Sequence, residues 1–316
     1  MERAELMRVL AEKNIKPFVK WAGGKSWLIS ELSESLRTDS EVYMELFVGG
    51  GSFFLFLLEN IEKTNLKRMI INDINTKLIS VYEVIRDSVE GLIDGLKEMQ
   101  DRYNNLSLME EKEQLFYSIR EDFNASNQDL LTTSRDFIFL NKTCFNGLYR
   151  ENLSGAFNVP FGKRKSVSLY DRDNLLRISE RLNLKHGNKN IVEFYSCDFK
   201  ALESMIAENI FCYIDPPYRP VTRSGFKAYN KGNFNDKNQI ELAEFCQKIE
   251  QKKGYFVLSN SDPRNLDASD DFFDELYRGF EIKRVFARRN INSDGSGRGK
   301  ISEILIKNFT QDGVGA

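Results

Sequence analysis

Residues 211–218, with the sequence FCYIDPPY, join an apolar run to a rigid polar turn. The apolar residues 211–214 predict a buried central strand, which must end at Asp215 because two prolines follow. Each proline lacks an N–H donor and has a fixed φ, so the carbonyl groups of Asp215 and Pro216 are left as acceptors beside the ring of Tyr218. This arrangement suits a flat heterocycle that carries an exocyclic amine, although an ordinary turn at the end of a strand has the same pattern.

A short glycine turn near the start of the sequence is a second candidate site. Residues 21–25 (WAGGK) follow a short apolar segment and precede a helix predicted at 26–37. Gly23 permits a sharp bend where that helix begins, and the N–H groups at a helix N-terminus favour an anion. The G-x-x-x-x-G-K-[ST] spacing of a P-loop is absent.

A longer pattern of strand, turn, helix and strand follows. Residues 43–47 predict a strand, the glycines at 49–51 a turn, 52–61 a helix, and 69–71 a second strand that leads to Asp73. This is the opening unit of a doubly wound nucleotide-binding sheet, in which the acid accepts hydrogen bonds from ribose hydroxyls. A tight turn without a ligand is the alternative for the three glycines.

The same pattern lacks the third glycine of a pyrophosphate-binding turn, since Phe54 occupies that position. The ligand should therefore carry an adenosine-like ribose without needing phosphates, and S-adenosylmethionine fits this description. Its sulfonium group can be held by aromatic faces such as those of Trp21, Phe47 or Tyr218.

The second half of the sequence continues the alternation of strands and helices. A strand at 191–196 leads to Asp198 and Phe199, of which the first can accept from an adenine amine and the second can contact the ring. Residues 219–236 predict a mobile loop over the site. Residues 136–144 fit either a buried helix or a strand. Acids and glycines at successive strand ends place the candidate chemistry on the carboxyl edge of one sheet.

The segment 145–165 differs in composition from the rest of the chain. Two glycine-containing turn signals separate short alternating runs, which predicts a hairpin. Its cations suit phosphates, and its amide and guanidinium groups suit base edges in a DNA groove. These side chains are Arg150, Asn152, Asn158, Lys163, Arg164 and Lys165. An ordinary surface hairpin is the alternative, and a solvated helix face is the preferred interpretation of the basic residues at 172–185.

Composition and charge exclude several classes of protein. The 316 residues are 41% hydrophobic and carry a formal net charge of -2, which is typical of an ordinary globular chain. There is one histidine, His186, so histidine metal clusters are excluded and Ser-His-Asp chemistry nearly so. The four cysteines show no CxxC pattern, so no metal site is expected. The sequence has neither a bilayer-spanning apolar stretch nor a signal-peptide core, which predicts a cytoplasmic protein.

Four motifs occur in register along the chain: WAGGK at 21–25, ELFVGGGSFF at 45–54, NGLYR and FNVPFG between 146 and 162, and DPPY at 215–218. Together they resemble the Dam-type adenine-N6 DNA methyltransferases over nearly the whole chain. The resemblance implies S-adenosylmethionine as methyl donor and a target adenine that is flipped out of the duplex. Glu45 stands where many members of that family have Asp, which keeps the acceptor and lengthens its reach.

The resemblance also implies roles for individual residues. Trp21, Lys25, Asp73 and Asp215 match cofactor-contacting positions of the family, and the hairpin is similar to that of members that read GATC, where the arginine matching Arg150 reads a guanine. The catalytic candidates are Asp215, Pro216 and Tyr218. The cofactor candidates are Trp21, Ala22, Gly23, Lys25, Phe47, Gly49, Gly51, Asp73, Asp198, Phe199 and Asp215. The DNA-binding candidates are Asn146, Leu148, Arg150, Asn152, Asn158, Pro160, Lys163, Arg164 and Lys165.

The predicted fold is α/β, with a doubly wound, Rossmann-like methyltransferase sheet at 1–75 and 186–316. A mostly helical target-recognition domain that carries the β-hairpin is predicted as an insertion at 76–185. The predicted activity is methylation of adenine N6 in double-stranded DNA, within GATC. The alternatives are a cytosine-N4 methyltransferase, an RNA or protein amine methyltransferase, or a DNA-binding module without catalysis. We expect a monomer bound to DNA in the nucleoid and no membrane partner, and a cognate restriction endonuclease is left open.

Overall fold

The computed structural model describes residues 15–21, 23–37, 39–125, 127–152, 154–219, 234–287, 301–310 and 313–314. The chain divides into two compact units. The first unit contains Met1–Ile29, Val48–Thr64 and Asp73–Cys197, and the second contains Ser30–Phe47, Asn65–Asn72 and Asp198–Ala316. This division groups both glycine turns with the hairpin, whereas the predicted insertion at 76–185 excludes them, and those domain bounds stay a prediction.

The helices and strands follow in chain order. The α-helices are α1 (Ile29–Ser35), α2 (Ser52–Glu59), α3 (Thr76–Asp87), α4 (Val89–Asn105), α5 (Met109–Ala125), α6 (Leu130–Thr143), α7 (Arg172–Leu182), α8 (Asp236–Gln251) and α9 (Phe272–Leu276). Short 3-10 helices occur at Ser26–Leu28, Ile61–Lys63, Phe145–Gly147, Phe199–Met205 and Pro263–Asn265. The strands are β1 (Val42–Glu45), β2 (Arg68–Asn72), β3 (Lys185–His186), β4 (Lys189–Asn190), β5 (Val192–Tyr195), β6 (Ile210–Ile214), β7 (Tyr255–Ser261), β8 (Glu281–Ala287), β9 (Ile301–Lys307), β10 (Phe309–Thr310) and β11 (Gly313–Val314).

The second unit is built on β6, which is buried along its whole length. Strands β1 and β7 flank β6 and run parallel to it, and β2 runs parallel to β1. A central parallel strand has both faces covered, so it needs apolar residues at every position, as in 211–214. Beyond β7 the strands β9 and β8 are antiparallel, and the order within this unit is β2-β1-β6-β7-β9-β8. The prediction of an α/β fold is confirmed.

Helix α8 packs against β7 in the second unit. Its buried residues Leu242, Phe245, Cys246 and Ile249 recur at the spacing of one helical face. Burial of each large apolar side chain of this kind contributes about 1.5–3 kcal/mol. The helix begins with a capping box, in which the side chain of Asn235 accepts from backbone N–H groups of the first turn.

The first unit is mostly helical, and α6 contacts α3, α4 and α5 within it. Residues 136–141 of α6 are all buried. A helix that is covered on all sides shows no amphipathic period, which is why the sequence left helix and strand open for 136–144. Asp129 begins this helix by accepting from the N–H of Thr132 over 2.9 Å.

Several predicted elements differ from those observed. The helix predicted at 26–37 is a 3-10 helix at Ser26–Leu28 followed by α1, and the strand predicted at 191–196 is followed by a 3-10 helix at Phe199–Met205. Most of the loop predicted at 219–236 lies outside the described residues. Within the described ranges, no helix is long and apolar enough to cross a membrane.

Candidate active site

The carboxylate of Asp215 lies where β6 ends, and a serine on the next strand holds it. The pairing of Ile214 with Leu258 places Ser259 beside Asp215. The Ser259 hydroxyl donates to Oδ1 of Asp215 over 2.7 Å. Ser259 is completely buried, whereas Asp215 is half-buried. One oxygen of the carboxylate is therefore fixed by a charge-assisted hydrogen bond, which is among the stronger kinds.

The two prolines after Asp215 are held by a chain of buried amides. The carbonyl of Pro217 accepts from Nε2 of Gln239 over 3.1 Å. Oε1 of Gln239 accepts in turn from Nδ2 of Asn260 over 3.2 Å, and Oδ1 of Asn260 accepts from the N–H of Arg219 over 3.2 Å. Gln239 and Asn260 are completely buried. The turn is thus fixed at Pro217 and again two residues later.

The ring of Tyr218 is held through its hydroxyl, which donates to Oε2 of Glu303 over 2.9 Å. Burial raises the pKa of Tyr218 well above its ordinary value, and the negative charges of Asp215 and Glu303 raise it further. The phenol is therefore neutral at physiological pH. Its ring is a fixed aromatic surface directly after the Asp-Pro-Pro turn.

Arg219 anchors the chain beyond Tyr218 in the second unit. Its guanidinium donates to both oxygens of Asp236, over 2.9 and 3.1 Å, and to Oδ2 of Asp270 over 2.7 Å. The same group lies 4.3 Å from the centroid of the Phe272 ring. The backbone carbonyl of Arg219 accepts a hydrogen bond from the hydroxyl of Ser261. An arginine fork suits this arrangement because it can pair with two carboxylates and stack on a ring at once.

The remaining candidates in the second unit lie at the ends of β1 and β5. Phe47 is half-buried, and its ring centroid lies 5.6 Å from that of the buried Phe199. Oδ1 of Asp198 accepts from the N–H of Lys200 over 3.0 Å, so this acid caps the 3-10 helix that follows. Glu45 is buried and accepts from the hydroxyl of Tyr43. Phe199 therefore contributes to the apolar packing of this unit, and Asp198 to the start of a helix.

The glycine turn at 49–51 closes tightly in the first unit. Gly49 and Gly51 have φ of 49° and 67°, a conformation that residues with a side chain rarely adopt. A Cβ at Gly49 would lie 2.6 Å from Nε1 of Trp21, and one at Gly51 would lie 2.4 Å from the hydroxyl oxygen of Tyr82. That hydroxyl also donates to the carbonyl of Gly49 over 3.1 Å. Both glycines are required by the close approach of an aromatic side chain.

Asp73 connects the same turn to the start of α3. Its Oδ2 accepts from the N–H of Gly49 over 2.9 Å, and its Oδ1 accepts from the N–H of Asn75 over 3.0 Å. Burial raises the pKa of Asp73, while these two backbone donors act in the opposite direction. The carboxylate is thus a buried acceptor, oriented by backbone groups, beside the glycine turn.

The residues of the WAGGK motif lie in the first unit. Trp21 stacks on Tyr149 with 5.6 Å between ring centroids. Lys25 is buried, and its ammonium donates to the carbonyl of Gly23, whose φ is 79°. The candidate Ala22 lies outside the described residues. Trp21, Gly49, Gly51 and Asp73 are therefore brought together.

The predicted hairpin is present, with isolated antiparallel bridges between Cys144 and Phe161 and between Glu151 and Phe157. Asn152 closes its loop, because Oδ1 accepts from the N–H of Ser154 and of Ala156, each over 3.0 Å. Oδ1 of Asn152, which belongs to a side chain predicted to contact a base edge, therefore also has a structural role in the loop.

The DNA-binding candidates present their side chains at the surface of this hairpin. Asn146, Leu148, Arg150, Asn152, Pro160, Lys163, Arg164 and Lys165 are exposed, and Asn158 is half-buried. Nε of Arg150 donates to Oδ1 of Asn158 over 2.7 Å. This bond fixes the direction of the Arg150 guanidinium. The carbonyl of Arg164 accepts from the hydroxyl of Tyr103 over 2.5 Å, which anchors the basic run.

Several supporting residues have no counterpart among the sequence predictions. They are Ser259, Gln239, Asn260 and Arg219 around the turn that follows β6. Ser259 and Asn260 belong to a polar run, SNSD, at the end of the strand at 255–261, and Arg219 directly follows DPPY. Neither pattern says which group it would contact.

Comparison with known proteins gives matches that extend over both compact units. The model of a family described as D12 class N6 adenine-specific DNA methyltransferase matches residues 21–291. The chain is 41% identical to the type II methyltransferase M.MjaIII of Methanocaldococcus jannaschii, over 93% of this chain and 99% of that protein. It is 30% identical to the type II methyltransferase M1.LlaDCHI of Lactococcus lactis subsp. cremoris, over 94% and 96%. It is 31% identical to the DNA adenine methylase of Escherichia coli K12, over 93% and 95%.

Proposed function

The chain belongs to the D12 class of N6 adenine-specific DNA methyltransferases, and from this premise we propose that it methylates a flipped adenine within GATC of duplex DNA, with S-adenosylmethionine as donor. It is an enzyme, and its substrate is DNA. The observation that carries the proposed mechanism is the position of Asp215. This acid follows the central parallel strand, and one of its oxygens is fixed by Ser259.

Adenine N6 is a weak nucleophile, because its lone pair is delocalised into the ring. Hydrogen bonds from N6 to the carboxylate of Asp215 and to the carbonyl of Pro216 would localise that pair and direct it. The held carboxylate and rigid turn need little reorganisation, and orientation of this kind can supply several kcal/mol. After transfer N6 must lose a proton, and Asp215 is the base that we propose accepts it. The single histidine, His186, lies on the exposed strand β3 and has no part in this scheme.

Base flipping follows from the position of N6, which cannot react inside a duplex. An extruded base loses its stacking neighbours and needs another flat partner. Tyr218 suits this role because its phenol is neutral and its hydroxyl is fixed by Glu303.

The residues present fit S-adenosylmethionine. In the first unit Asp73 offers a buried carboxylate for ribose hydroxyls, Trp21 offers an aromatic face, and Gly49 and Gly51 permit close approach of the backbone. When bound, the cofactor supplies an electrophilic methyl group on a sulfonium sulfur. We propose that Lys25, which belongs to the WAGGK motif together with Trp21, makes further contacts with the cofactor.

We propose that the hairpin, within a target-recognition domain at 76–185, selects the DNA sequence. Arg150 would read a guanine in the major groove, since a guanidinium can pair with O6 and N7 together. The basic run at 163–165 would contact phosphates, which position the protein without selecting sequence. GATC follows from the similarity of the hairpin to that of GATC-reading family members.

Labelled S-adenosylmethionine incubated with duplex DNA, followed by digestion to nucleosides, tests the activity. We expect label in N6-methyladenine for duplexes that contain GATC, and none for Asp215→Ala. Label in N4-methylcytosine, or in added RNA or protein alone, would favour the alternative methyltransferases. Absence of label from every substrate would leave only DNA binding, and label in duplexes without GATC would remove the proposed site.

Two of the similar proteins carry the name type II methyltransferase. We therefore propose that this chain, acting as a monomer, protects DNA from a restriction endonuclease that cleaves the same site. DNA from cells that express the protein should resist a GATC-cleaving endonuclease that adenine methylation blocks. Cleavage at the rate of unmodified DNA would contradict this role.

A further inference from the structure

Tyr149 belongs to the hairpin, and its ring connects the hairpin to the glycine turn through Trp21 within the first unit. Its ring stacks on Trp21, with 5.6 Å between centroids and an interplanar angle of 18°, and on Phe137, with 4.9 Å and 20°. Trp21 in turn lies against Gly49, where a Cβ would come within 2.6 Å of the indole nitrogen. A continuous column of contacts therefore runs from the glycine turn through two stacked rings to helix α6.

The hydroxyl of Tyr149 makes a parallel connection through polar groups. It donates to Oε1 of Glu151 over 2.6 Å, and Glu151 is bridged to Phe157 across the hairpin. Burial raises the pKa of Tyr149, the hydrogen bond to Glu151 raises it further, and the negative charge of Asp73 acts in the same direction. The N–H of Asn75 donates to Asp73, the proposed ribose acceptor. The hydroxyl is thus hydrogen-bonded within the hairpin, and it lies close enough to Asp73 for the charge of that acid to affect it.

Arg150 is the next residue after Tyr149, and the two side chains have opposite exposure. Arg150 is exposed and Tyr149 is half-buried. We propose that Tyr149 is a positioning residue that couples target reading to cofactor binding. When Arg150 engages DNA, the hairpin fixes Tyr149, and Tyr149 fixes Trp21 against the glycine turn. This inference rests on the proposed function, because it takes Trp21 as a cofactor contact and the hairpin as the DNA reader.

Coupling between two ligands is reciprocal and is measured as a ratio of affinities. The probe is S-adenosylhomocysteine, which cannot donate a methyl group, and its Kd is measured by calorimetry with and without a duplex that contains GATC. We expect the wild-type protein to bind the probe about fivefold or more tightly with DNA, which is the lower end of typical couplings. In Tyr149→Leu the ratio should fall to less than about twofold, because the leucine cannot stack on Trp21.

Tyr117→Leu is the matched control, since Tyr117 is also half-buried in the first unit but packs on Phe116, with 5.3 Å between ring centroids. It should keep the wild-type ratio. A second measurement uses Trp27→Phe, which leaves Trp21 as the only tryptophan of the two in the chain. DNA added to this variant without cofactor should change the fluorescence of Trp21, and this readout needs no substitution in the stacked column.

Three results would overturn the coupling: a wild-type ratio near one, a wild-type ratio retained by Tyr149→Leu, or Trp21 fluorescence that ignores DNA. In each of these cases the proposed function stands as long as label still reaches N6-methyladenine. A wild-type protein that neither binds the probe nor transfers label overturns the proposed function together with this inference.

Discussion

Ser259→Ala tests whether the orientation of Asp215 limits methyl transfer. The Ser259 hydroxyl donates to Oδ1 of Asp215 over 2.7 Å and is completely buried, so water cannot readily replace it. A hydrogen bond to a charged group contributes about 1.5–3 kcal/mol, and about 1.4 kcal/mol corresponds to tenfold in rate. If the bond is needed to direct the carboxylate at N6, kcat should fall about 10- to 150-fold. KM should change far less, because Ser259 is buried behind the acid.

The assay is steady-state transfer of labelled methyl groups to a GATC duplex, together with thermal unfolding of each variant. Ser302→Ala is the matched control, because the hydroxyl of buried Ser302 donates to Oδ2 of Asp262 over 2.8 Å in the same unit. It should lose a similar amount of stability and keep kcat within about twofold of wild type. Ser259→Ala with wild-type kcat, in a protein that Asp215→Ala inactivates, would refute the reasoning.

Asp73→Asn should weaken cofactor binding about tenfold or more, since an amide offers fewer acceptor sites than a carboxylate. Burial raises the pKa of Asp73, so its contribution to stability is complete below the unfolded pKa and is lost as pH rises through the higher folded pKa. The Tm of Asp73→Asn minus the Tm of wild type should therefore increase as pH rises from about 4, and a difference that stays constant with pH would contradict this. Arg219→Met should lower the free energy of unfolding in urea by about 1–3 kcal/mol. The control Arg172→Met, which removes an exposed ion pair with Glu90, should lower it by about 0–1 kcal/mol. Equal losses would mean that the Arg219 anchor is not structural. Arg150→Ala should reduce discrimination at one base pair about 5- to 150-fold in kcat/KM, whereas Lys165→Ala should weaken binding to all sequences alike. An equal loss of kcat/KM on cognate and non-cognate DNA in Arg150→Ala would count against the proposal that Arg150 reads a guanine.

Features carried by consecutive residues could be predicted from the sequence. The apolar run at 211–214 is a central parallel strand, and it ends at Asp215 as the two prolines require. The glycine turn and Asp73 also occur together, although the structure gives that acid a second task, since it accepts from the turn's own N–H at Gly49. A sequence pattern identifies a carboxylate as an acceptor, but it does not show how many hydrogen bonds that carboxylate already accepts from the protein itself.

Contacts between distant segments could not be predicted in the same way. Ser259 faces Asp215 only because β7 pairs with β6 in one particular register, and Gln239 reaches Pro217 from a separate helix. A shift of one residue in that register would turn a different side chain toward the acid. The role of Tyr149 could not be predicted either. One aromatic residue inside the NGLYR motif does not indicate that it stacks on Trp21, which lies far earlier in the chain.

The buried amide of Gln239 offers a pH-dependent test of the proline turn. Its Nε2 donates to the carbonyl of Pro217, and its Oε1 accepts from Asn260. In Gln239→Glu a neutral carboxyl group can reproduce both bonds, because its hydroxyl donates and its carbonyl accepts, whereas an ionised carboxylate would repel the Pro217 oxygen. Burial raises the pKa of a carboxyl group by up to about 3–5 units, so the variant should ionise near neutral pH.

Stability in Gln239→Glu should therefore match wild type below the pKa of an unfolded glutamate and fall as pH rises through the raised folded pKa. The ratio of kcat for the variant to that of wild type should decline over the same range, because the turn that carries Asp215 and Tyr218 loses its hold at Pro217. Measurements of unfolding between about pH 4 and 9, and of kcat between about pH 6 and 9, would show this decline. A ratio that stays constant with pH would mean that the amide chain does not control the catalytic turn, and that the two prolines alone make it rigid.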